Sequence, residues 1–177
     1  EFLHFRENIL PKALQFKRDH PDKFAAIEKA HEMKFVGRDE QGRPVILNRL
    51  GAIDTGYLFW HVSVEEYTLY HTLKMEWAMS LCEKTRHESG GDAKSQMVLL
   101  FDCEGLGLGH LVLWRKLTSI ARINDVCYPE SVGRAWIAHP NSLFPFLFRL
   151  VGPLLDENTR NKVQMLSEDL VEALSNN

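Results

Sequence analysis

The chain has 177 residues, 45% hydrophobic and 25% charged, which is enough for one domain with a sizeable core. Acidic residues outnumber basic ones by 24 to 21, giving a formal charge of -3. That balance argues against nucleic acid as the main partner, because binding a phosphate backbone needs a basic surface. Cys82, Cys103 and Cys127 lie 21 and 24 residues apart, form no CxxC pair and are odd in number, so the chain reads as reduced and intracellular. It opens mid-pattern at "EFLHFREN" without a signal peptide and stops at "ALSNN", which reads as a piece of a longer protein.

Residues 3–19 and 22–34 read as helices, with apolar residues recurring at three and four and Pro21 as the break between them. They form a helical amino-terminal segment, 1–34, ahead of an α/β domain over 35–177. Asp39–Gly42 reads as a turn, and Pro44 opens a strand over Val45–Leu50. "VSVEEYTLYHTLKMEWAMSLCEK" carries a capping box in Ser63 and Glu66 and a staple in Val62 and Tyr67. Its expected buried face is Tyr67, Tyr70, Leu73, Trp77 and Leu81. "ESGGDAKS" reads as a loop, and "QMVLLFD" is an apolar run of the kind covered on both faces of a sheet. "CEGLGLGH" leads into a helix bearing Leu113, Leu117 and Ile120, and "GRAWIAHP" is a strand stopped by Pro140. Beyond a further helix, Thr159–Lys162 leads into a brief strand, Val163–Leu166, and Ser167 caps a last helix. Strands alternating with helices imply an α/β fold with a largely parallel or mixed sheet.

The segment "PNSLFPFLFRLVGPLLDENTRNK" stands apart. From Pro140 to Leu155 it holds one charge, Arg149, and then a polar knot. Residues 135–155 have the length of a membrane span, but Pro140, Pro145 and Pro153 would each leave backbone carbonyls that lipid cannot satisfy. As a helix the segment puts Phe144, Phe148 and Val151 on one side, with Leu143, Leu147 and Leu150 beside them. Phe146 and Arg149 face away. An apolar circumference of this kind fits a buried core helix, or a helix with apolar material on both sides in turn.

Catalytic signals are sparse. "GLGLG" follows a strand, but the dinucleotide fingerprint needs its third glycine where His110 stands, so a tight turn is the plainer reading. GxSxG and HExxH are absent, and the eight histidines are scattered. Asp102 and Glu104 close a strand where α/β sites often lie, although turn and capping roles explain such residues equally. No catalytic residue, metal ligand or cofactor is expected.

At "GRPV", "FDCEGLGLGHL", "YPESVGRAWIAHPNSLF" and "GPLLDENTRNK" the sequence resembles the CRAL-TRIO family of lipid-binding and lipid-transfer proteins, in consistent order from about Arg6 to Asn177. The resemblance implies an α/β sandwich whose mixed, largely parallel sheet floors an apolar pocket, a partial amino-terminal lobe, and a gate helix over Asn141–Leu155. It implies that the phosphoinositol head group of phosphatidylinositol is held by Arg6, Glu130, Thr159 and Lys162. A cation pair, a hydroxyl and a carboxylate suit a phosphodiester and a polyol. Without the resemblance, Thr159 and Lys162 are ordinary first-turn residues behind an Asp156 cap. There are departures. Ser131 stands where phosphatidylinositol carriers of the family have Arg. Met97 and Leu99 stand where those carriers have Ser and Thr for phosphatidylcholine, which leaves room for a tocopherol-, retinoid- or squalene-like ligand. The family's last strand and "GG" close are not in the sequence.

The expected pocket lining is Tyr70, Trp77, Val98, Leu100, Leu113, Trp136, Phe144 and Phe148, with Met97 and Leu99 replacing Val98 and Leu100 if the strand phase is reversed. Phe146 is the expected membrane face of the gate. The implied protein is a cytoplasmic monomer that touches membranes transiently. Its partner is a phospholipid or other hydrophobic small molecule rather than nucleic acid, and it works without covalent chemistry. An interaction module within a larger signalling protein is the alternative.

Overall fold

The computed structural model describes residues 8–88, 95–154 and 157–166. Two ten-residue helices, α1 (Leu10–Asp19) and α2 (Pro21–Ala30), lead into a hairpin of β1 (Met33–Arg38) and β2 (Pro44–Arg49). A 3₁₀ turn (Leu50–Ala52), α3 (Thr55–His61) and the long α4 (Val64–Glu88) return the chain to β3 (Met97–Asp102). A second 3₁₀ segment (Leu108–Leu113) precedes α5 (Trp114–Cys127) and β4 (Val132–Ala138). Then come α6 (Phe144–Val151), a 3₁₀ turn (Gly152–Leu154), α7 (Glu157–Asn161) and β5 (Val163–Met165).

The sheet runs in the order β1-β2-β3-β4-β5; β1 is antiparallel to β2, and every other pair is parallel. Register and alternation sort the strand residues onto two faces. Val45, Val98 and Arg134 line up on one, followed by Leu47, Leu100 and Trp136. Ile46, Leu99 and Ala135 share the other with Phe101 and Ile137. The second face is covered by α4 and α5, through Met75, Ala78, Cys82 and Cys127 against Ile46 and Met97. The central strands are thus apolar along their length, as the run "MVLLFD" predicts.

The first two helices share this core. Phe16, Phe24 and Ile27 pack with Leu58, Tyr67, Tyr70 and Leu113, joining α1 and α2 to α3 and α4. The capping box forms as expected: the Glu66 backbone N–H donates to Ser63 Oγ (3.1 Å) and the Ser63 N–H donates to a Glu66 carboxylate oxygen (2.8 Å).

Three expectations are corrected. The second helix ends at Ala30, and Met33–Arg38 is a strand. It is an edge strand with only Met33 buried and a bulge between Phe35 and Gly37, so its sequence carries no clean alternation. The buried stripe of α4 departs from the expected one after its first turns: Tyr67 and Tyr70 are buried as expected, but the stripe continues through His71, Met75, Ala78, Cys82 and Thr85, whereas Leu73, Trp77 and Leu81 are half-buried on its flanks. Small residues along the stripe let the helix sit close to the sheet, and the large side chains straddle the contact. The glycine-rich turn feeds a 3₁₀ segment before α5 begins. Its tightness comes from Gly51, where a Cβ would lie 1.8 Å from the Glu104 carbonyl oxygen. The helix α3, unmarked in the sequence reading, starts on Asp54, whose Oδ1 accepts from the Tyr57 N–H at 2.8 Å.

A polar thread runs through the apolar core where α2 ends. The Tyr67 hydroxyl is 2.7 Å from His31 Nδ1, and the Tyr70 hydroxyl donates to the His31 carbonyl. Burial, with a smaller contribution from neighbouring His71, pulls the His31 imidazole down from about 6.5 to about 4. The unfolded chain therefore takes up this proton first as pH falls. Stability from neutral His31 is fully present above about pH 6.5 and is lost towards pH 4, by roughly 3 kcal/mol in all. Urea midpoints measured across that window should fall accordingly. A His31→Gln variant should show a shallower slope, and an unchanged slope would assign the effect elsewhere.

Candidate functional site

The strands β2, β3 and β4 begin side by side, and their starting ends border an open cleft of about 630 Å³. It is lined by Gln41, Arg43, Gln96, Glu130, Gly133, Asn158 and Lys162. Two cations, one carboxylate, three amide side chains and a glycine face one space, and no aromatic ring is among them.

Each of these side chains is fixed locally. Glu130 has φ 56, a left-handed conformation uncommon for a residue with a side chain. The Ser131 N–H donates to the Tyr128 carbonyl (3.3 Å), so Tyr128–Ser131 is a turn with Pro129 and a positive-φ residue at its centre, the arrangement of a type II turn. The Gln96 amide donates to the Glu130 carbonyl at 3.0 Å and braces that turn. Lys162 follows α7, and its Nζ donates to the Val132 carbonyl at 2.8 Å. The Lys162 carbonyl in turn accepts from the Ala135 N–H at 3.0 Å, tying the cation to β4 at two points.

On the opposite wall, Asp39 organises the β1–β2 turn. Its Oδ1 accepts from the N–H groups of Gln41 (3.0 Å) and Arg43 (2.8 Å), and its Oδ2 accepts from Arg43 Nε (2.8 Å) and Nη2 (2.6 Å). The Asp39 side chain is fully buried, and Arg43 is 7% exposed. Burial pushes the Asp39 carboxyl up, but the hydrogen bonds and charge of Arg43 outweigh it and hold the group below the usual carboxylate range.

The expected head-group residues are partly united. Glu130 and Lys162, far apart in sequence, line the same cleft. The backbone of Thr159 lies in α7, next to cleft-lining Asn158. Arg6, like Asp156 and Ser167, lies outside the described residues. Ser131 is buried behind Glu130. The sequence reading missed Gln41, Arg43, Gln96 and Asn158. "GRP" marked Arg43 as part of a motif without giving it a role, and amides beside strand ends carry no sequence signal of their own.

The eight residues expected to line an apolar pocket are divided. Tyr70 and Leu113 belong to the cluster under α1 and α2, and Trp77 flanks the α4–sheet core under the Lys74 ammonium, 4.6 Å from its ring. Val98, Leu100 and Trp136 lie together on one sheet face with Val45 and Ala138. Phe144 and Phe148, stacked 5.7 Å apart on α6, pack with Cys103, Leu106 and Ile137 at the end of the other face. Met97 and Leu99, the residues of the reversed strand phase, share that second face and pack beneath α4 and α5 with Ile46.

The expected gate segment folds as the helix α6 and its 3₁₀ extension. Asn141 anchors the entry: its amide donates to the Leu106 carbonyl (2.7 Å), and its Oδ1 accepts from the Leu143 N–H (3.0 Å). Phe146 is 49% exposed and belongs to none of the core clusters. Among the described residues, no helix is long and apolar enough to cross a membrane.

Asp102 lies at the other end of the sheet. It accepts from His139 Nδ1 (2.9 Å) and from the Glu104 N–H (3.0 Å), with Arg49 at 3.6 Å. Its oxygens, those of Glu104 and a His139 nitrogen lie within 4.8 Å of one another. These contacts tie the end of β3 to the end of β4.

The family model described as the CRAL/TRIO domain matches residues 33–177. The chain belongs to this family of lipid-binding and lipid-transfer proteins. It is 26% identical over 140 residues to phosphatidylinositol/phosphatidylcholine transfer protein SFH7 of Arabidopsis thaliana, an alignment covering 78% of this chain and 26% of the relative. It is 30% identical over 134 residues to the CRAL-TRIO domain-containing protein T23G5.2 of Caenorhabditis elegans, covering 70% of this chain and 17% of that one. It is 26% identical over 159 residues to phosphatidylinositol/phosphatidylcholine transfer protein SFH11 of Arabidopsis thaliana, covering 86% and 42%. The chain thus spans between 17% and 42% of the length of these relatives. The fold is similar to the crystal structure of Sfh5, with a TM-score of 0.64 at 19% identity over 88% of this chain and 56% of that one.

The Asp39–Arg43 pair should be the stability anchor of the cleft. Asp39→Asn leaves a buried guanidinium without its counter-charge, and loss of one partner of such a pair costs about 3–5 kcal/mol. Denaturant unfolding of this variant should show a loss of that size. A loss below about 1 kcal/mol, the scale of an exposed pair, would mean that the pair is solvated in solution.

Proposed function

We propose that this domain holds a single lipid, phosphatidylinositol in the first place, and exchanges or presents it at membranes. The observation that carries the proposal is the lining of the cleft. Glu130 and Lys162 face one space with three amides. Amides and a carboxylate suit the hydroxyls of a polyol, and a lysine suits a phosphodiester. A choline group would call for aromatic faces, and among the described residues none lines the cleft. The names of the Arabidopsis relatives support the same lipid class. On this reading Thr159 and Arg6 complete the head-group site, the acyl chains lie against the sheet face bearing Val98, Leu100 and Trp136, and α6 is the gate, with Pro140 and Gly152-Pro153 as its hinges.

Lys162→Ala removes one charge-assisted contact, worth roughly 1.5–3 kcal/mol or about ten- to a hundredfold in affinity. Phosphatidylinositol uptake from vesicles should fall by that factor while uptake of an uncharged hydrophobe is unchanged. Equal losses for both would place Lys162 in folding rather than recognition. Mass spectrometry of lipid co-purified with the folded protein gives the direct identification; a sterol-like or isoprenoid mass would replace phosphatidylinositol as the ligand.

Phe146 is the proposed membrane contact of the gate. Burying its ring in the bilayer interface would contribute about 1.5–3 kcal/mol. Phe146→Asp should therefore reduce vesicle association and slow lipid transfer, with the melting temperature nearly unchanged because the side chain is outside the core. Unfolding of this variant would make α6 an ordinary core helix. Unaltered transfer would move membrane docking to another surface.

A further inference from the structure

Arg43 has more donors than Asp39 uses. Asp39 takes Nε and Nη2, and among the described residues Nη1 has no hydrogen-bond partner although Arg43 lines the cleft. Gly133 explains how that nitrogen reaches the open space. A Cβ at position 133 would lie 2.5 Å from Arg43 Nη1, 3.3 Å from Arg43 Cδ and 3.2 Å from Gln96 Oε1. The end of an unrestrained arginine would swing away at little cost. This one is held through two nitrogens by a buried carboxylate, which is itself fixed by the N–H groups of Gln41 and Arg43. The guanidinium is therefore pinned over bare backbone, with one edge turned to the cleft that also contains Lys162 and Glu130.

We propose that Arg43, through Nη1, is a second anion-binding cation of this cleft, and that Gly133 is the specificity-determining residue that keeps it reachable. The ligand group is an anionic phosphoester of a polyol, shared between the Arg43 edge and the Lys162 ammonium. A planar guanidinium supplies directional donors where the lysine supplies a point charge, so the pair fixes the orientation of the phosphate as well as its charge. The inference rests on the head-group reading above and adds to it a wall that the sequence motifs leave without a role.

The test uses two probes, soluble inositol 1-phosphate by calorimetric titration and phosphatidylinositol in phosphatidylcholine vesicles, on the wild type, Lys162→Ala and Gly133→Ala. Gly133→Ala is expected to weaken both probes roughly tenfold, the scale of one charge-assisted contact. Because that variant strains the Arg43–Asp39 pair and can lose stability, the wild type is also followed by ¹⁵N NMR. The Arg43 guanidinium resonance, assigned from its absence in Arg43→Lys, should move as inositol 1-phosphate is added. Wild-type binding that depends on Lys162 with a still Arg43 resonance, or with full affinity in a folded Gly133→Ala, overturns the role of Arg43 and leaves the head-group reading intact. Binding of inositol 1-phosphate with a moving Arg43 resonance but no uptake from vesicles supports Arg43 and overturns the lipid as the source of the phosphoester. Binding of neither probe overturns both.

Discussion

The buried ion pair between Asp39 and Arg43 is the constraint on which the polar end of this molecule depends. A carboxylate taken out of water must have its oxygens satisfied, and Asp39 meets that demand with four donors within a single turn. The turn sets the β1–β2 hairpin, and its guanidinium crosses to the backbone of β4 at Gly133. From there the same strand holds Lys162 through the Val132 carbonyl, and the Tyr128–Ser131 turn that enters it presents Glu130. Hairpin, central strands and α7 are thereby coupled through charged groups in addition to the apolar cluster of Val45, Val98, Leu100 and Ala138. Fixed in this way, the donors of the cleft are pre-organised, which would favour the proposed recognition of an anion.

The opposite constraint governs α6. Its inner residues, Phe144 and Phe148, contribute to the core at the end of the sheet, while Phe146 stands half in solvent. An isolated exposed ring is ordinary on a protein surface. Here it belongs to a helix whose entry is fastened by Asn141 and whose exit is a 3₁₀ turn at Gly152–Leu154. The two ends differ in kind: the entry is fastened by the Asn141 side chain to the Leu106 carbonyl, and the exit runs on into the 3₁₀ turn. That asymmetry suits a segment that pivots about its start, as the proposed gate requires.

The parts of the fold legible in the sequence are those whose signal is local and physical. The capping box at Ser63 and Glu66, the apolar run of β3 and the break at Pro21 each follow from the chemistry of a few neighbouring residues, and each is found. The edge strand β1 was hidden because one buried residue in six leaves no periodicity to read. The inward stripe of α4 is not legible from apolar size, because Ala78, Cys82 and Thr85 are inside and Trp77 is not. The site shows the same division. Glu130 and Lys162 were found through a family resemblance; the amides and Arg43 required the register of β2, β3 and β4 to bring their ends together.

For a lipid carrier of the proposed kind, this arrangement puts the decision at the polar end. Moving an acyl chain from a bilayer into a dry protein cavity exchanges one apolar medium for another, so the roughly 0.8 kcal/mol per buried CH₂ nearly cancels between the two states. What does not cancel is the head group, which leaves an interface rich in water for a cleft with fixed donors. Each charge-assisted contact there is worth about 1.5–3 kcal/mol, and an unmatched buried charge costs more. Discrimination between lipids with the same tails must therefore arise from groups such as Arg43, Glu130 and Lys162, while the apolar helix α6 governs how fast a lipid enters and leaves. The greasy segment that dominates the sequence by eye would then set the rate, and the polar cleft around Arg43, Gly133 and Glu130 would set the choice.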